Sequence, residues 1–272
     1  MPGRHIPLVA VRDAAAADLR RGGPHAADSR RAARWVARST GLNGAELYLK
    51  LEVLQPIGSF KIRGALQRRP PAAAEQLQQG VWTVSAGNAA QGVAFAARKA
   101  GARCSVMVMD TAPDTKIRAI ERLGASIVRA TYDECWRTVE AHGSDRMTGH
   151  FVHPFDDDRF IAGNATAGLE ILEDLPDVDA IVAPLGGGGL LAGIAAAVAR
   201  AEARHAHLRR RAGNRGAAVG VARRGAADLF RQLAGVVRRR RRRQVGAADD
   251  VAAAVAARRA RSSSRSTKWR GR

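Results

Sequence analysis

The sequence predicts an α/β protein built on a parallel sheet with helices on both faces. Three observations between residues 46 and 200 carry that expectation. Short apolar runs recur at VWTVS (81–85), CSVMVM (104–109) and AIVAPL (180–185). Segments with helical spacing of apolar residues lie between them, and glycines stand where those segments should stop. Strands alternating with helices at this spacing imply crossover connections, which cover both faces of a parallel sheet. Such sheets place ligands at the carboxyl ends of their strands, where loops lead into helices.

Taken in order, ELYLKLEV (46–53) alternates polar and apolar residues, the pattern of a strand with one buried face. NAAQGVAFAARKA (88–100) places Val93, Ala96 and Ala97 on one face and ends at Gly101, a natural C-cap. TKIRAIERL (115–123) repeats Ile117, Ile120 and Leu123 and stops at Gly124. Thr131 and Glu134 form a T-x-x-E capping box that opens the helix YDECWRTVEAH (132–142). Trp82, Trp136 and Cys104 read as core residues. Asp156, Asp157 and Asp158 read as a solvated turn and helix start. His153 reads as a loop or core histidine, and no metal site is expected.

The 272 residues include 45 Lys plus Arg against 25 Asp plus Glu, a net charge of +20, and 46% are hydrophobic. This length and composition support a real core and exclude wholesale disorder. The charge is not spread evenly. Residues 1–200 hold 24 basic and 21 acidic residues, whereas 201–272 hold 21 basic and 4 acidic, with six consecutive arginines at 238–243. A basic tail of this kind can bind nucleic acid through phosphate contacts. Aromatic residues make up only 4% of the chain, and the tail's large aromatics are Phe230 and Trp269. No stacking platform accompanies the charge, so nucleic-acid binding is disfavoured. Cys104 and Cys135 have no CxxC spacing, which suits a reducing cytosol. The longest apolar stretch, 186–199, is too short to span a bilayer, so a cytoplasmic chain without a membrane partner is expected.

Three segments carry chemistry. In GSFKIRGA (58–65), Lys61 follows an aromatic residue at the start of a helix. The positive helix end and partial burial both favour the neutral amine that a Schiff base requires. In isolation, such a lysine is far more often a surface residue. SAGNAAQG (85–92) lies where a strand turns into a helix, and its small residues and amides can hold a carboxylate. It also fits an ordinary turn capped by Asn88. GGGG (186–189) sits at another strand-to-helix turn, where backbone N–H groups can wrap a phosphate or simply allow tight packing. Leu190 and Leu191 follow where a nucleotide loop needs Lys and Ser/Thr, so neither ATP nor NAD is favoured. A lysine for a carbonyl, a glycine cup for one phosphate and a carboxylate-holding loop together suit pyridoxal phosphate and an amino acid.

LYLKLEVLQPIGSFKIRGA (47–65), SAGNAAQG, FVHPFDD (151–157), IAGNATAGLEILEDLPDVDAIV (161–182) and PLGGGGLLAGIA (184–195) resemble the fold-type II pyridoxal-phosphate enzymes, specifically the threonine and serine dehydratases, with serine racemase a near cousin. The resemblance implies a two-domain, tryptophan-synthase-β-like parallel-sheet fold. Residues 1–71 and 151–200 would form the large domain, and 72–150 the small one. It further implies that Lys61 forms the Schiff base and takes the α-proton, with Phe60 flanking the cofactor ring. Gly186, Gly187, Gly188, Gly189 and the Leu190 amide would cup the phosphate, and Asn88 would meet the ring hydroxyl. Ser85, Ala86, Gly87, Asn88 and Ala89 would grip the substrate carboxylate. The implied reaction is elimination of water and ammonia from L-threonine or L-serine, in isoleucine biosynthesis or in degradation. A homo-oligomer is compatible with the resemblance.

Three departures matter. Ala86 stands where racemases carry a serine for the second face of the α-carbon, which favours elimination. Ala89 replaces a frequent histidine. Beyond 200 the expected Ser, Thr or Cys for the pyridine nitrogen is missing, although GAAVGVA (216–222) is similar to the next family strand. Forty arginines against five lysines suggest a reading-frame change near 200, with the C-terminal part of the large domain missing or altered and 201–272 a disordered tail. A catalytically impaired family product is the alternative reading.

Overall fold

The computed structural model describes residues 35–37, 45–67, 78–201, 218–222 and 253–259. The Ala/Arg-rich start (1–34), the arginine run at 238–243, Phe230 and Trp269 lie outside the described residues.

One sheet is parallel throughout. It comprises β3 (Val81–Val84), β4 (Cys104–Met109), β5 (Ser126–Ala130) and β6 (His150–Phe151), in the order β5-β4-β3-β6. Helices α2 (Asn88–Ala100), α3 (Asp114–Glu121) and α4 (Tyr132–Ala141) make the crossovers. Both faces are covered, as the alternation predicts. Val81, Val106 and Val108 face a cluster with Val93, Ile117 and Ile120, while Trp82, Val84 and Met107 face Cys135, Val139 and Met147.

The local punctuation follows the sequence closely. Gly101 caps α2 in the left-handed region at φ 70°, a conformation open to glycine at little cost. The Thr131 side chain accepts from the Glu134 N–H at 3.2 Å. The other half of that capping box is absent, because the Glu134 carboxylate turns to Arg146 at 2.5 Å. Trp136 is 49% exposed, contrary to its reading as core. Helix α4 buries Cys135, Thr138 and Val139, and Trp136 falls on the opposite side.

The expected parallel-sheet α/β arrangement is met in the first sheet, and the second sheet is antiparallel. Its order is β1 (Trp35–Ala37), β2 (Ala45–Leu51), β9 (Ala253–Arg259), β7 (Ala180–Pro184) and β8 (Ala218–Ala222), and every pair is antiparallel. Strands β8 and β9, from the stretch expected to be a disordered tail, enter it against β7 and β2. Strand β9 lies between them, with Val255 opposite both Leu49 and Val182.

Strand β2 also departs from the simple alternating pattern. Among its described side chains Lys50 is the buried one, and Glu52 just beyond its end is buried too. Both are paired, which makes their burial tolerable. Lys50 Nζ lies 2.5 Å from Glu170 and Arg63 Nε 2.7 Å from Glu52.

Three helices join the sheets. Helix α5 (Asp158–Asp174) lies against both α1 (Lys61–Gln67) and α6 (Gly189–Ala201). Small residues permit the close approach. A Cβ on Gly163 would strike the Arg63 carbonyl oxygen, and one on Gly193 would stand 2.7 Å from that of Ile161. Among the described residues, no helix is long and apolar enough to cross a membrane.

Candidate active site

Lys61 opens α1. Its backbone N–H is 3.3 Å from the hydroxyl of Ser59, which is fully buried. Its Nζ donates to the Pro154 carbonyl at 2.7 Å and lies 5.4 Å and 5.6 Å from the ring centroids of Phe60 and Phe160. The head group is thus held by one carbonyl between two aromatic rings.

Pro154 belongs to the turn linking β6 to α5, and His153 pins that turn. The imidazole Nδ1 accepts from the backbone N–H groups of Asp156 at 2.8 Å and Phe155 at 3.3 Å, while Nε2 faces the Val139 carbonyl at 3.2 Å. These partners require Nε2 to carry the proton and Nδ1 to be bare. Burial, followed by the neighbouring His142, pushes the His153 pKa down, against the pull of Asp156 and Asp157. Asp157 caps α5 by accepting from the Phe160 N–H at 2.9 Å, in line with the helix-start reading of the acidic cluster.

The same turn supports the glycine loop. The Phe155 ring occupies the space where Gly187 would carry a Cβ, and the Phe155 carbonyl oxygen lies 2.8 Å from the corresponding point on Gly189. By contrast, a Cβ on Gly186 or Gly188 would meet nothing within 4 Å. The loop therefore packs on one side and is open on the other, immediately before α6. Leu190 and Phe60 share a buried cluster with Ala183 and Ile194, which ties the lysine segment to this loop.

The 85–89 loop connects β3 to α2. Ser85 Oγ accepts from the Gly87 N–H at 3.1 Å, and Asn88 is the first residue of α2. One turn later, a Cβ on Gly92 would lie 3.1 Å from the Lys61 carbonyl oxygen, so α2 packs directly on the start of α1. Ala89 is buried, and Ala86 packs against the core beneath the parallel sheet. Through Pro154, Phe155 and Gly92, the fold brings the lysine, glycine and Ser85–Ala89 segments to one region.

Two features go beyond what the sequence reading identified. The first is a buried ion network behind α1. Arg63 makes paired contacts to Glu52 at 2.7 and 2.9 Å and to Glu170 at 2.6 and 2.9 Å, and also reaches Thr166 at 3.0 Å. Burial opposes the Arg63 charge, but Glu52 and Glu170 raise its pKa overall. Burial likewise works against the Glu170 carboxylate, yet Arg63 and Lys50 hold its pKa at about 2. In sequence, Lys50 and Glu52 fall on the polar side of the alternation in ELYLKLEV, which does not mark them as buried. The second is a grouping of His142, His153 and Asp156, whose donor atoms lie within 4.8 Å of one another. Both His153 nitrogens already have partners, so this grouping offers no free imidazole lone pair from His153. Burial drives the Cys104 pKa to about 12 and, with Glu134 and Asp110, raises that of Cys135, which disfavours the thiolate of both.

The family described as "Pyridoxal-phosphate dependent enzyme" matches residues 32–269. The chain belongs to this family. Similar proteins include an L-threonine ammonia-lyase from Thermotoga maritima, 43% identical over 58% of this chain and 39% of the relative. Another from Geobacter sulfurreducens is 44% identical over 61% of this chain and 41% of the relative. Human serine racemase is 44% identical over 58% and 47%. The chain therefore spans about two fifths of the length of these ammonia-lyases. Among solved structures, a T.th. threonine deaminase matches with a TM-score of 0.56 and 36% identity, covering 71% of this chain and 61% of that one. Maize serine racemase matches with a TM-score of 0.60 and 29% identity, over 73% and 58%.

The residues present fit the family's cofactor. A lysine amine stands between two aromatic rings, and a glycine loop at the start of a thirteen-residue helix has an open outer side. Exposed N–H groups at a helix start favour a phosphate.

Proposed function

We propose that this chain is a pyridoxal-phosphate-dependent ammonia-lyase acting on L-threonine or L-serine, with Lys61 as its reactive amine. The observation that carries this reading is the coupling of Lys61 to the glycine loop through Pro154 and Phe155. The N–H groups of Gly186–Gly189 and Leu190 would hold the phosphate, with Phe60 beside the ring and Asn88 at its hydroxyl. Loop 85–89 offers backbone N–H groups and the Ser85 hydroxyl to the substrate carboxylate. When bound, the cofactor supplies an aldehyde for an amine and an electron-withdrawing ring that acidifies the substrate α-C–H.

The chain's own residues then perform the remaining tasks. The Lys61 amine would accept the α-proton. The proton held by Lys61 would then pass to the departing β-hydroxyl, which leaves as water as the α,β double bond forms. The resulting enamine hydrolyses to a 2-oxoacid and ammonia. Ala86 supports elimination over racemisation, since a methyl group delivers no proton to the second face of the α-carbon. Residues 72–150 and the flanking segments 1–71 and 151–200 are read as small and large domains, with the site between them.

The test is release of ammonia and 2-oxoacid from threonine and serine by the cofactor-loaded protein, beside Lys61→Ala. Turnover by the wild type that falls by at least about a thousandfold in Lys61→Ala is expected for loss of the acid–base and covalent group. Equal rates in both proteins contradict the assignment. Interconversion of L- and D-serine without ammonia release favours the racemase reading suggested by the similarity to serine racemase.

A further inference from the structure

Asn164 lies on α5 with no exposed surface, and neither its Nδ2 nor its Oδ1 has a hydrogen-bond partner among the described residues. A buried amide in this state has given up water and gained nothing in return, which is unfavourable unless another state supplies the partner. Its surroundings identify that partner. A Cβ on Gly189 would stand 3.6 Å from Asn164 Nδ2 and 2.8 Å from the Phe155 carbonyl oxygen. The amide therefore lies directly beneath the end of the 186–189 loop, where α6 begins. Above, Gly186 and Gly188 face open space. Neighbouring α5 residues are already engaged. Phe160 packs against Gly64, Gly163 against the Arg63 carbonyl, and Thr166 accepts from the Arg63 guanidinium.

We propose that Asn164 is a positioning residue for the phosphate loop, pairing with a backbone group of residues 186–189 when a phosphate monoester seats on the loop's outer side. This deepens the cofactor reading above and rests on it. An anion draws the loop N–H groups outward. Rotating a peptide plane in that direction turns its other polar group inward, toward Asn164. Glycine permits the rotation, and Gly188 already sits at φ 88°. Pairing made only in the loaded state favours that state over the free one.

The experiment compares wild type, Asn164→Leu and Asn164→Ala. Each is titrated with pyridoxal phosphate and with pyridoxal, which lacks the phosphate, and the thermal midpoint of each cofactor-free protein is recorded. Leucine approximates the amide's volume without its polar atoms. Both variants are expected to bind pyridoxal phosphate about tenfold or more weaker, as for a lost hydrogen bond, with pyridoxal binding unchanged. The cofactor-free Asn164→Leu midpoint should equal or exceed that of wild type, which a purely structural role would not produce. If leucine does not fit, the ratio of the two ligand affinities in Asn164→Ala decides the question. Variants that bind pyridoxal phosphate like wild type, or lose both ligands equally, overturn the role of Asn164 alone. A wild-type chain that binds neither ligand overturns the cofactor reading itself, and this inference with it.

Discussion

The His153 imidazole meets two N–H donors through Nδ1 and a carbonyl through Nε2, so only its neutral form fits the turn that presents Pro154 to Lys61. Its pKa is lowered in the folded protein, so the unfolded chain takes up the proton first as pH falls. Stability from this contact is therefore full above about pH 6.5 and declines below it. His142, Asp156 and Asp157 also act on this ring, so the comparison must be made against a variant. The thermal midpoint should fall between about pH 7.5 and 5.5, and fall less in His153→Gln, which cannot protonate. An identical slope in both proteins would contradict the role given to His153. The positions of Lys61 and the four glycines were legible because each segment lies at a helix start that the apolar runs around it delimit. Asn164 was not, because an unpartnered amide has no signature in sequence.

Helix α1 carries Lys61, proposed as the reactive amine, and two residues later the buried Arg63. Replacing Arg63 with methionine leaves Glu52 and Glu170 buried without their shared cation, at a cost of about 3–5 kcal/mol. Chemical denaturation measures this, and a change near zero would mean that solvent reaches the network. The folded carboxylate of Glu170 titrates at about 2, below its ordinary value of 4.5. Its contribution to stability is present above about pH 4.5 and is lost as pH falls toward 2. The acid limb of unfolding should therefore be shallower in Glu170→Gln. Where α1 crosses α5, Gly163→Ala forces a methyl group against the Arg63 carbonyl and should cost about 1–3 kcal/mol. At this scale, α2, α3 and α4 were readable from apolar spacing and their glycine or threonine boundaries. The inverted burial of β2 was not, since alternation reports two faces without saying which one is paired internally.

Across the whole molecule, β9 joins the N-terminal strand β2 to β7, which leads into the glycine loop. Val255 stands opposite a residue on each neighbour, so Val255→Pro removes a ladder donor from the middle of the sheet. Lower thermal stability and faster amide exchange in both β2 and β7 are expected, and unchanged exchange would contradict the central placement of β9. The parallel sheet was legible because its strands alternate with their crossover helices. The antiparallel sheet was hidden, because the β2–β9 pairing links residues about two hundred positions apart, in composition that resembles a solvated tail.

The most direct test of the whole account is to incubate the chain with pyridoxal phosphate, reduce it with borohydride and map the modified peptide. The fold places the Lys61 amine between Phe60 and Phe160, next to the turn that carries the glycine loop. The label should therefore fall on Lys61 and not on Lys50, Lys99, Lys116 or Lys268. A label spread over the other lysines, or absent from Lys61, would contradict the assembled site.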